Sequence, residues 1–254
     1  MQSQKSGKST RRKALAAIGG ILVGTGAAPA VSGKNSITEI DEPTNITEPG
    51  RYKLVSDIKL IDTSVSGGGE WVGIEINSDD VRLDGNGHTI YHTGESGFYH
   101  HGLRVREGRN VRIRDVTVTG VNARPLEFNS GTQDGYLLNC ESYNNAEGVS
   151  IGGDGIKIMN SKFHDNVFSG ANPGVNGTFV NNQIYENGSG GIVIGGSESH
   201  ISSNEIIEND GPGIRISRSN NITITGNRLC DNTEPFVIDE ESSNNTIRGN
   251  RVCK

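Results

Sequence analysis

Methionine is nearly absent from this chain of 254 residues, since only Met159 occurs beyond the initiator. Thioether sulfur for a soft ion such as Cu(I) is therefore scarce. Helical spacing of apolar residues is missing as well, which excludes stacked helix pairs of the tetratricopeptide kind. Positive charge is in deficit, 24 Lys plus Arg against 30 Asp plus Glu, for a net charge of −6. That balance disfavours nucleic acid or an anionic membrane as partner.

The first residues read as a targeting segment. Ser9-Thr10-Arg11-Arg12-Lys13 precedes an Ala/Gly/Ile/Leu/Val run over 14–28 that ends in Ala28-Pro29-Ala30, an A-x-A cleavage pattern. The Arg11-Arg12 pair resembles a twin-arginine signal. The alternatives are an ordinary secretory signal and a retained anchor, although the run is short against the ~20 apolar residues of a membrane helix. Residues 1–30 are thus expected to direct export, to the cell surface or beyond, with no membrane insertion of the mature chain. Their removal leaves 19 Lys plus Arg against 30 Asp plus Glu, a net charge of −11. Acidic polysaccharides would be repelled at long range unless a local basic patch or a bridging cation intervenes.

A motif of the form Gly-aliphatic-x-aliphatic fills most of the rest. Its opening residues are Gly73, Gly102, Pro125, Gly148, Gly170, Gly191, Gly213 and Pro235, at gaps of 29, 23, 23, 22, 21, 22 and 22. A second series, Asn182, Asn204, Asn227 and Asn250, keeps the same period. Alternation such as Gly191-Ile192-Val193-Ile194 marks strands. Units of this length suit short strands joined by tight turns and stacked into parallel sheets. The expected fold is all-β, a single-stranded parallel β-helix of about eight rungs of 21–23 residues. Residues 73–254 form the helix, and residues 31–72 serve as N-terminal linker and cap. At ~4.8 Å between strands the eight copies would make a column roughly 35 to 40 Å long.

Stacks of Leu83, Ile113, Leu137, Ile158, Phe179, Ile201, Ile224 and Ile247, and of Ile74, Leu103, Leu126, Val149, Ala171, Ile192, Ile214 and Phe236, are expected to form the core. Asn166, Asn187, Asn209 and Asn232 fall at bends, where Asn tolerates left-handed backbone. No C-terminal cap is visible, and a frayed end, a partner and self-association all remain open there.

These residues resemble the pectate-lyase-like superfamily of right-handed parallel β-helix proteins, especially exported chains with NosD-type repeats, and the resemblance implies the right hand of the coil. The passages that carry the resemblance are 46–54, Ile-Thr-Glu-Pro-Gly-Arg-Tyr-Lys-Leu, and 81–90, Val-Arg-Leu-Asp-Gly-Asn-Gly-His-Thr-Ile. The resemblance implies polysaccharide as partner, a substrate groove along one sheet, and calcium as the metal of the lyases. It also raises a copper-delivery or structural role, against which the single Met159 stands. The Asn-Thr-Asp, Asp-Asp and Gly-His-Gly set of polygalacturonases and the Asp-Pro-His of mannuronan epimerases are absent. No pair of carboxylates suited to glycoside cleavage stands out.

Candidate residues fall into four groups. Arg82, Arg112 and Lys157 form a basic stripe on one strand face, and with His101 they are the candidates for a lyase, hydrolase or epimerase. Asp84, His88, His92 and His100 lie in the irregular interval before Gly102, where about seven extra residues are expected to bulge between Tyr91 and His101, and they are the metal candidates. Tyr143, His164 and Tyr185 recur at intervals of 21 and form an exterior strip for carbohydrate. Cys230 and Cys253 fall 23 residues apart on the same strip, one rung from each other and within disulfide range, which leaves Cys140 free. Glu75, Arg104 and Glu127 are expected to pair as an outward charge column. The leading expectation is an exported carbohydrate-binding solenoid, with the enzyme as its rival.

Overall fold

The computed structural model describes residues 36–60, 70–93 and 99–253, so residues 1–30, read as a targeting segment, lie outside the described residues, as does 94–98 within the expected bulge. The described residues contain strands but no helix. The strands form three parallel sheets of ten, nine and nine. Each turn of the chain visits the sheets in one order, as with Val81–Asp84 in the first, Thr89–His92 in the second and Tyr99–Arg109 in the third. Every strand pairs with its counterpart one coil away, and the whole is a right-handed parallel β-helix.

In-phase positions are neighbours throughout. In the first sheet Leu83, Ile113, Leu137, Ile158, Phe179, Ile201, Ile224 and Ile247 stand in register. In the third, Ile192 pairs with Ile214 and Ile214 with Phe236. The second sheet supplies a further inward stack that includes Ile90, Val118, Phe163, Ile184, Ile206 and Leu229. Nearly all of these side chains are buried, each contributing about 1.5–3 kcal/mol of apolar transfer.

The glycine that opens each motif copy has a steric cause. A Cβ on Gly191 would lie 2.5 Å from the Gly213 carbonyl oxygen and 2.5 Å from Ile206 Cγ2, so the corner closes only without a side chain. Two asparagine ladders line the other corners. Asn204 Nδ2 donates to Phe179 O and to Asn227 Oδ1, at 3.0 and 2.9 Å, while its own Oδ1 accepts from Asn182. Asn166, Asn187, Asn209 and Asn232 do the same after the second sheet. The left-handed residue sits one place earlier than the sequence reading put it, at Asp165, Glu186, Glu208 and Asp231. The ladder asparagines are selected for their inward amides instead.

Strands Ile37–Ile40, Thr44–Ile46, Gly50–Leu54 and Ile58–Leu60, in the segment read as a cap, pair into the same three sheets. In the interval before Gly102, His100 and His101 belong to the strand Tyr99–Arg109, opposite Trp71 and Val72.

Candidate functional site

The outward face of the first sheet gathers cations that the sequence spreads over more than a hundred residues. Arg51, Arg82, Arg112, Tyr136 and Lys157 follow one another in register on successive strands. Tyr136 is clasped between two cations, with the Arg112 guanidinium 5.1 Å and the Lys157 ammonium 5.2 Å from its ring centre. Parallel to this column run Lys53, Asp84 and Arg114. Asp84 and Asp115, the acids available to neutralise the stripe, both pair with Arg114. Among the described residues no carboxylate lies within ion-pair distance of Arg51, Arg82 or Arg112. The three guanidiniums line a groove of about 410 Å³ together with Tyr52, Arg114 and Tyr136.

Such a ladder does not serve the fold. Like charges one strand apart repel, by about 1 kcal/mol or less per pair in water. Guanidinium forks instead match carboxylates and other planar or tetrahedral anions with two parallel hydrogen bonds. Arg51 lies 31 residues before Arg82, well off the 21–23-residue period, so the repeat spacing does not point to it and only the strand pairing brings it into the column.

His101 stands on the third sheet, away from Arg82, Arg112 and Lys157 on the first, so these four do not assemble into one centre. His101 Nδ1 lies 3.0 Å from Glu127 Oε2, and both side chains are buried. Glu127 also accepts from Arg124, whose Nε lies 3.6 Å from Glu147. Two coils before Glu127, Glu75 pairs with Arg104 at 2.7 Å and with Arg106 at 3.4 Å. Burial pushes Glu127 and Glu75 up, but the hydrogen bonds from His101 and Arg124, and from Arg104 and Asn77, outweigh it and hold both below the ordinary carboxylate range. Glu147 moves the other way, because burial and the nearby Glu127 exceed the pull of Arg124.

The metal candidates are dispersed. Asp84 pairs with Arg114, His88 with Asp57 at 3.1 Å, and His92 stacks on His100 with ring centres 4.1 Å apart. Among the described residues no group of three His, Cys, Asp or Glu side chains converges on one point.

Tyr143, His164 and Tyr185 stand in register on the second sheet. The rings are stacked on each other, with centres 5.2 and 4.5 Å apart and planes within 5°. Both faces of His164 are thereby covered, and its two nitrogens face Asp165 and Glu141. The strip offers a ligand ring edges and hydroxyls rather than open faces. Farther along the same column Cys230 is joined to Cys253 by a disulfide, with Cα atoms 4.5 Å apart. Cys140 is free and buried at the corner between the first two sheets, where burial pushes its thiol up to about 12.

The family described as right handed beta helix region matches residues 72–194 and 135–254, and the chain belongs to it. No curated protein matches. Among solved structures the chain is similar to the Dettilon tailspike protein, at 15% identity and a TM-score of 0.58, over 85% of this chain and 54% of that one. It therefore spans about half the length of the tailspike. It is also similar to the A-module of the Azotobacter vinelandii mannuronan C-5 epimerase AlgE6, at 15% identity and a TM-score of 0.44, over 85% and 88% of the two chains. The periplasmic alginate epimerase AlgG matches at 11% identity and a TM-score of 0.44, over 82% and 76%. At these identities the likeness is one of fold. Among the described residues no helix is long and apolar enough to cross a membrane.

Proposed function

We propose that the protein is an exported binder of anionic polysaccharide, which it holds along the outer face of the first sheet. The observation that carries this reading is the Arg51–Arg82–Arg112 ladder, three arginines in register on adjacent strands without carboxylate partners, on a chain whose net charge is negative. A polyuronate offers one carboxylate per sugar unit, the charge pattern that a row of guanidiniums accepts. The local field of the ladder overrides the overall repulsion within a Debye length of about 8 Å at physiological salt. Lys157 and Arg114 extend the stripe, and Tyr136 keeps Arg112 and Lys157 in place. Export rests on the leader at residues 1–30 and fits an extracellular or envelope glycan.

The test is calorimetric titration of the full protein with polygalacturonate and alginate oligomers, with dextran as neutral control, at low and high salt. The reading requires polyuronate binding that weakens steeply as salt rises. Equal binding of dextran and polyuronate would overturn it. Unsaturated or new reducing ends in the same mixtures would replace binding by catalysis.

A further inference from the structure

We propose that the third sheet carries a second saccharide site, a polar pocket that takes one uncharged sugar unit through hydrogen bonds. It stands on residues separate from the arginine ladder and does not depend on it. The pocket measures about 620 Å³, within the ~300–1,000 Å³ range of small-molecule sites. His101 and Glu127 lie at its floor, and Arg106, Asn129, Ser150 and Asn172 border it.

Charge balance separates this site from the groove on the first sheet. Arg104, Arg106 and Arg124 are matched by Glu75, Glu127 and Glu147, and the ion pairs among them are internal. No excess charge remains to draw an anion. What remains is a set of fixed donors and acceptors, which is what the hydroxyls of a neutral sugar require.

The network also orients those groups. Glu127 is held in its ionised form and can only accept, so the His101 proton that it receives sits on Nδ1. The pair thereby fixes the orientation of the His101 ring beside the pocket. Buried ions cost several kcal/mol each unless well paired, and the apolar stacks that hold the coils together do not need them. The network is also local: one and two coils on, the Glu127 position is taken by Ser150 and then Asn172. The substitution of small polar residues there opens the space that the pocket occupies.

The test is titration of the full protein with glucose, galactose, mannose, rhamnose, N-acetylglucosamine and their disaccharides in 0.5 M NaCl, followed by amide chemical shifts. The expected result is saturable binding of at least one neutral sugar, with shifts confined to strands Tyr99–Arg109, Leu126–Gln133, Val149–Ile151 and Ser169–Asn172. Asn129→Ala or Ser150→Ala should weaken it about five- to tenfold, the loss of one or two hydrogen bonds. Both alter pocket walls rather than the buried ions, and an unchanged thermal midpoint verifies that each variant folds. Arg82→Ala and Arg112→Ala should leave it unaltered. Absence of saturable binding across the panel, binding indifferent to both wall variants, or binding lost with Arg82→Ala would overturn the proposal. Failure of the polyuronate titrations would not touch it.

Discussion

Arg82 lies directly opposite Arg112 on adjacent parallel strands of the first sheet, and the two nearest acids, Asp84 and Asp115, are both engaged by Arg114. A pairing of like charges that the fold tolerates without neutralising points to a partner outside the chain.

If that is so, binding and stability should separate. Arg82→Ala is expected to weaken polyuronate binding about tenfold, as befits one charge-assisted contact, and to flatten its salt dependence. Urea unfolding of the same variant should stay within about 0.5 kcal/mol of the parent, because an exposed cation is removed from beside another. A large stability loss with unchanged binding would make the ladder structural.

The inner asparagine ladder should behave in the opposite way. Asn204→Ala removes the donor to Phe179 O and Asn227 Oδ1 and the acceptor for Asn182, all buried. Chemical denaturation should register a loss of about 2–4 kcal/mol, since each abandoned partner stays desolvated. The equivalent change at Asn232, at the half-exposed end of its ladder, should cost clearly less.

Acid should weaken the third sheet. Glu75 and Glu127 titrate below their unfolded values, so the stability they contribute is complete above the unfolded carboxylate range near ~4.3 and is lost as pH falls through the folded values. Glu147, which is raised, acts oppositely, and its cost appears as pH rises through its folded value. Glu127→Gln should destabilise by about 3–5 kcal/mol near neutrality, because it strips a buried partner from His101 and Arg124. It should also flatten the acid limb of the thermal-midpoint profile. An unchanged limb would show that other carboxylates govern it.

The Cys230–Cys253 disulfide closes a 23-residue loop across the last two strands of the second sheet. Chain-entropy reasoning gives it about 3 kcal/mol against the unfolded state. Intact mass after alkylation of the oxidised protein should show one reactive thiol, Cys140, and only after unfolding, since that thiol is buried. Three alkylated cysteines without reductant would show that the bond does not form.

The spiral was legible because its period survives in single residues. Ile192, Ile214 and Phe236 are 22 apart and meet in register, and Cys230 and Cys253 are in phase by the same rule. The second sheet's inward stack was less visible. Most of its strands are three residues long with a single buried side chain, and Ser142 interrupts the apolar run. The site was only half legible. Arg82, Arg112 and Lys157 could be aligned strand by strand, but Arg51 lies 31 residues before Arg82, off the 21–23-residue period. That Asp84 and Asp115 serve Arg114 rather than the ladder depends on side-chain reach. The partners of Glu127 show the same limit: Glu75 and Arg104 pair as their phase implies, but His101 and Arg124 reach Glu127 from the bend around Gly102 and Pro125, where strand alternation gives no guide.

The most direct measurement is hydrogen–deuterium exchange of the full protein with and without a saturating polyuronate oligomer at low salt. Protection should concentrate on Gly50–Leu54, Val81–Asp84, Arg112–Arg114 and Tyr136–Leu138, the strands that carry the ladder, and vanish in Arg82→Ala/Arg112→Ala. Protection confined to the second or third sheet, or undiminished in the double variant, would contradict the account.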